Sequence, residues 1–128
     1  MLFSSCNCQR NYTHGIYEIT FSARKIYNNS VGNDWHITYT CEDQEIESGY
    51  QWTVPLDVIQ TVTIDVCVVE SDTWPDVGFG SLSVTLEKDF RTSAVVSVVE
   101  NKGRYKYNQA KWEIICKIKL VKKLEQKH

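Results

Sequence analysis

Two prolines and six glycines in 128 residues exclude a collagen-like repeat and a Pro/Gly-rich disordered chain. Histidine is equally sparse: His14, His36 and His128 are the full set, and none stands in a recognisable nucleophile–base arrangement. No HExxH, Ser-centred nucleophile elbow, Gly-rich phosphate loop or CxxC occurs, so the familiar enzyme signatures are missing and the expectation is a non-catalytic protein. No apolar run reaches the ~20 residues that a membrane-spanning helix needs. Basic charge is scarce over residues 1–100, where 5 basic side chains face 14 acidic ones. That surface disfavours nucleic acid, which is bound by displacing counterions with cations. Residues 101–128 reverse the balance, with 9 basic and 2 acidic side chains; such a segment suits an acidic membrane or partner, or is the solvated face of a strand that carries Lys117, Lys119 and Lys123.

The five cysteines, Cys6, Cys8, Cys41, Cys67 and Cys116, are an odd number, so at least one thiol stays unpaired within a monomer. Cys67 and Cys116 sit in apolar strand patterns and read as small buried hydrophobes. The spacing of Cys6, Cys8 and His14 matches no usual zinc pattern. A cytoplasmic protein with reduced thiols is the default expectation. Met1–Cys6 is too short for a secretory signal, although small residues before Cys6 are similar to the end of a bacterial lipoprotein signal, which would make Cys6 a lipid anchor if the gene began upstream.

What the chain does have is a period of two. A composition that is 42% hydrophobic and 23% charged is that of a folded globular protein, and its apolar positions alternate. Tyr17, Ile19, Phe21 and Ala23 share one face, as do Val62, Ile64, Val66 and Val68, then Leu82, Val84 and Leu86. Trp112, Ile114, Cys116, Ile118 and Leu120 oppose Glu113, Lys117 and Lys119. Half-buried strands of an antiparallel sheet give this signature. Further strands are expected at 36–41, 45–53 and 93–100, with a short helical turn near 107–110. Turn chemistry falls at 28–34, 42–43, 73–78 and 101–103. About eight strands at this spacing predict one all-β, antiparallel two-sheet β-sandwich over residues 15–124, with an N-terminal extension (1–14) and a short tail (125–128). Trp35, Trp52 and Trp112 are expected in its core.

One segment carries chemistry. The run from Val68 to Val84 places Glu70, Asp72 and Asp76 around one turn, and three carboxylates so close repel unless solvated, protonated or neutralised by a cation. Calcium suits such a loop, since it takes six to eight oxygens at about 2.3–2.6 Å. An alternative stays open, in which Asp72 and Asp76 are turn formers and Glu70 is merely solvated. Trp74, in the same turn, is a candidate contact for a membrane interface or a partner's pocket, or else folds back on Pro75 and Phe79.

Glu70, Asp72 and Asp76 followed by Gly80-Ser81-Leu82-Ser83 resemble the C2 domain, the calcium- and phospholipid-binding sandwich. The stretch from Ala23 to Tyr39, with Asn29, Gly32 and Asp34 between two strands, is similar to the first calcium loop of that family. The resemblance implies a C2-like fold in which both loops meet at one end. It implies a calcium site of Asn29, Asp34, Glu70, Asp72 and Asp76, through which an anionic lipid or a partner protein is held. Asn29 stands where a carboxylate is expected, Glu70 where Asp is usual, and Asp34 is followed by Trp rather than Pro. The alternative function is a metal-independent protein–protein interaction or assembly domain that uses edge strands or the Trp74 loop.

Overall fold

The computed structural model describes residues 11–29, 31–71, 74–100 and 107–125. Eight strands account for most of them: β1 (Tyr12–Asn28), β2 (Trp35–Cys41), β3 (Gln44–Ile46), β4 (Gln51–Pro55), β5 (Thr61–Glu70), β6 (Asp76–Thr85), β7 (Arg91–Val99) and β8 (Gln109–Glu125). They form two four-stranded antiparallel sheets, ordered β4-β1-β8-β7 and β3-β2-β5-β6. The expected all-β sandwich is the fold. Among the described residues there is no helix long and apolar enough to cross a membrane.

The alternation read from the sequence decides what faces inward. Val62, Ile64, Val66 and Val68 of β5 and Ile114, Cys116 and Ile118 of β8 belong to one buried core, together with residues such as Ile19, Leu82, Val84, Val96 and Val98. The intervening residues on β5, Thr61, Thr63 and Asp65, are exposed. Trp35, Trp52 and Trp112 are half-buried and pack against this core, with Trp35 tilted onto Trp112 at a centroid separation of 5.4 Å. Cys116 is fully buried, as expected, whereas Cys67 is half-buried: its odd position on β5 turns it to the outer face.

Local backbone chemistry sets the connections. β2 and β3 are joined through Glu42 and Asp43, both left-handed (φ 51° and 62°), which is the geometry of a two-residue type I′ hairpin. The segment expected as one strand at 45–53 is two strands in different sheets. Its chain crosses from β3 to β4 at Gly49, whose φ of 101° breaks the extended run. Residues 107–110, expected as a helical turn, are a turn at Tyr107 (φ 76°) followed by the start of β8 at Gln109.

The sandwich is closed on one side and open on the other. Where β6 meets β7, glycine brings the backbones together: a Cβ on Gly78 would lie 2.3 Å from the Ser97 carbonyl oxygen, and one on Gly80 would lie 2.8 Å from Val96 Cγ2. On the opposite side the Cα atoms of β1 and β2 stay more than 8 Å apart throughout.

Candidate functional site

The β1–β2 and β5–β6 turns lie together at one end of the sandwich. Asn28 organises the first of them: its Oδ1 accepts from the Val31 N–H (2.9 Å) and its Nδ2 donates to the Gly32 carbonyl (2.5 Å). A short amide side chain that folds back on the backbone two to four residues ahead is what makes Asn a turn former. The Gly32 carbonyl also accepts from the Trp35 indole N–H (3.1 Å), while Val31 plugs the core beneath. Two backbone bonds tie this turn to its neighbours, Asn29 N–H to Gln109 O (2.9 Å) and Ser71 N–H to Asp34 O (2.7 Å).

Glu70 and Asp76 are not loop residues. Glu70 ends β5, Asp76 begins β6, and the two are direct partners across the ladder. Both continue the inward-facing positions of their strands, so they are buried, at 2% and 0% exposure. Glu100, at 8% exposure, continues the inward series of Val96 and Val98. The antiparallel approach of β6 and β7 at Gly78 and Gly80 carries it to the level of Asp76. These are the buried charged side chains of the described residues, and all three cap the same end of the core.

Taking a carboxylate out of water costs several kcal/mol unless hydrogen bonds or charge replace the hydration, and none of the three is without a partner. Glu70 Oε2 accepts from the Asp34 N–H at 3.3 Å. Gly32, at φ 138°, lies against the same carboxyl, and a Cβ there would stand 2.3 Å from Glu70 Cδ. Glu70 thus fills the space under the first turn and fixes its backbone. Its solvation, one of the sequence readings, is replaced by burial.

The residues proposed as metal ligands are distributed as follows. Asn29 and Asp34 are exposed, and Asp34 Oδ1 lies 3.2 Å from His36 Nε2. Glu70 and Asp76 point into the sandwich, and Asp72 lies outside the described residues. Among the described residues no group of three His, Cys, Asp or Glu side chains is placed to hold a metal ion. His14, the other described histidine, contacts the Thr13 hydroxyl (2.9 Å). Cys41, Cys67 and Cys116 are free thiols; Cys6 and Cys8 lie outside the described residues. Burial pushes the Cys116 thiol up to about 11. It also raises Cys41, helped by the charges of Glu42 and Asp65.

The outer face of β6 differs in character. Its outward positions are Val77, Phe79, Ser81 and Ser83, without a charge among them. Phe79 is 76% exposed and Val77 43%. Trp74, in the turn that leads into β6, is 56% exposed, and Val95 and Val99 are exposed on the adjoining β7. The sequence held a signal for this flank, because Phe79 stands out of phase with Gly78, Gly80 and Leu82. It held one for Glu100 as well, in phase with Val96 and Val98.

No protein-family model, no curated protein and no solved structure matches the chain.

Proposed function

We propose that this chain is a non-catalytic binding module whose partner is a protein, held without metal against the β6 flank. The observation that carries this reading is the exposure of Phe79 and Val77 on a charge-free strand face. Gly78 lies against Ser97 and Val98 and Gly80 against Val96, which sets Val77 at about the level of Val99, so exposed apolar side chains stand on both strands of this seam. Single exposed apolar residues are ordinary on protein surfaces, whereas a contiguous patch of them marks an interaction site. Affinity capture with the full chain as bait, in chelator, tests it. A partner retained by the parent and lost by the Phe79→Ser, Val77→Ser double variant, at unchanged melting temperature, is the expected result. Equal capture by both chains rejects it.

A C2-like calcium module is the second reading, favoured by the cross-strand pairing of Glu70 with Asp76 beside the first turn. Asn29, Asp34, Glu70, Asp72 and Asp76 would supply oxygen donors, and the bound ion would bridge to an anionic lipid or a protein. Calcium at about ten times its Kd adds ~1.4 kcal/mol to the native state, a rise of roughly 4–6 °C in melting temperature for a domain of this size. A melt in chelator and then in millimolar calcium reads it directly, with magnesium as the control. An unchanged melt removes this reading and leaves the first intact.

A further inference from the structure

The open side of the sandwich carries a second site, independent of the β6 flank. The chain leaves β3 at Ile46 and crosses to β4 half-way along the molecule, so β3 covers only Tyr39–Cys41 of β2 and β4 only His14–Glu18 of β1. Ile19 and Phe21 are covered by the crossover itself, through Tyr50, Gly49 and Ser48. Above that level neither strand has an edge partner among the described residues, and between them lies a cleft of ≈ 390 Å³ whose walls include Phe21, Ala23, Ile37, Tyr39 and Ile46. Its floor is the face-to-face stack of Phe21 on Tyr39, with ring centroids 3.8 Å apart.

The backbone groups at this edge can be assigned. In the two-residue hairpin Cys41 and Gln44 form the hydrogen-bonded pair, so Cys41 and Tyr39 direct N–H and C=O toward β3. Alternation then directs those of Ile37 and Trp35 the same way, where no strand lies among the described residues. His36, Thr38 and Thr40 pair in the other direction, with β5.

The two edges are not equivalent. β1 presents Lys25, an exposed charge in phase with Phe21 and Ala23 whose Nζ lies 5.9 Å from the Trp112 ring centroid, and its pairing is interrupted between Lys25 and Tyr27. Lysines and bulges are devices that protect an edge strand from further pairing. β2 has neither: Trp35–Thr38 contains no acidic residue, lysine, arginine or proline, and its register with β5 is unbroken.

We infer that the Trp35–Thr38 edge of β2 accepts an extended segment of another protein, added in the line of β3. Two-stranded addition of this kind draws affinity from main-chain hydrogen bonds and specificity from alternate side-chain pockets. The occupant has an apolar residue that enters the cleft over Ala23, where the wall side chain is smallest. Charge complementarity sets its ends: Glu45 and Glu47 line the cleft near β3 and call for a basic residue, whereas Lys25, two residues beyond the lining residue Ala23 on β1, calls for an acidic one. A second copy of this chain paired through β2 about His36, the centre of the exposed edge, does not fit. Two-fold pairing of β2 centred on His36 sets Asn33 of one copy opposite Tyr39 of the other, and Tyr39 is already paired with Ile46.

The test uses peptides selected by the full chain from a displayed library of short random sequences, followed by amide exchange and shift mapping. The expected peptides alternate apolar and polar residues, with an acid toward one end and a base toward the other. They slow exchange at Trp35 and Ile37. N-methylation of the peptide backbone at alternate residues weakens binding by about tenfold or more in one phase and not in the other, since only one phase donates to β2. Ile37→Pro, which removes an edge N–H without touching the β5 ladder, abolishes binding; should that variant not fold, the N-methyl series alone decides. Selected peptides that protect neither Trp35 nor Ile37, or N-methylation without phase dependence, overturn the inference. Shifts confined to Val77 and Phe79 do the same while supporting the β6 flank. Failure to select any peptide also counts against it.

Discussion

The carboxyl group of Glu70 occupies the space that a side chain at position 32 would need. Gly32 therefore answers two demands at once, a φ of 138° that L-residues rarely adopt and the close approach of a buried acid. Gly32→Ala is expected to destabilise the fold by about 1–3 kcal/mol, from backbone strain and overpacking together. Urea denaturation of parent and variant measures it, and a loss below about 0.5 kcal/mol, the range of a neutral surface change, would contradict the assignment.

Removing the acid instead of the glycine tests the same contact from the other side. Glu70→Ala leaves a void and strands the Asp34 N–H, with an expected cost of about 2–4 kcal/mol. Amide exchange should accelerate over residues 31–35 more than over β7. Uniform acceleration along the chain would show that Glu70 has no special hold on this turn.

The seam between β6 and β7 predicts an order of effects. At Gly78 an added methyl meets the Ser97 carbonyl, part of the backbone, whereas at Gly80 it meets the terminal methyl of Val96. Side chains yield more easily than strands, so Gly78→Ala should cost about 2–3 kcal/mol and Gly80→Ala roughly 1 kcal/mol. Paired denaturation curves give the comparison; equal costs, or the reverse order, would mean that the two strands are not held as close as described.

Burial of Cys116 has a pH signature. Its thiol titrates near 9.0 when unburied and is pushed up to about 11 in the fold, so the folded state keeps a proton that the unfolded state gives up. The resulting stability is complete below pH 9 and is lost as the pH climbs from 9 toward 11. Cys116→Val should flatten that decline while leaving stability at pH 7 close to the parent's. Thermal melts at intervals from pH 7 to 11 measure the slope, and identical slopes for the two chains would show that another group is responsible.

The fold was legible because its strands obey the rule of two almost without exception. Val62 to Val68 and Trp112 to Leu120 alternate so regularly that the buried face could be named from the letters. The candidate site was less legible, because charge outweighed phase in its reading. Glu70 sits one step beyond Val68, and Asp76 one step before Gly78; followed strictly, the alternation places both inside. Carboxylates are rarely enclosed, and that general preference argued for solvent. The division of 45–53 between two sheets had only Gly49 as its local signal. The first half pairs locally with β2 through the hairpin, but the second half is fixed by long-range pairing with β1, which no short window of sequence contains.

The adjacency of β1 and β8 governs the order of events when the chain is made. Residues 35–85 hold every strand of the β3-β2-β5-β6 sheet, with neighbours close in sequence or joined by a single crossover. The other sheet waits, since β1 lies between β4 and β8 and its long ladder with β8 extends to Glu125. During synthesis β1 must stay extended and unpaired on that side for nearly the whole length of the described chain, and pairing across so large a separation is intrinsically slow. Refolding is therefore expected to show the sheet of β2, β3, β5 and β6 gaining protection first, and the β8-facing amides of β1 only when β8 arrives.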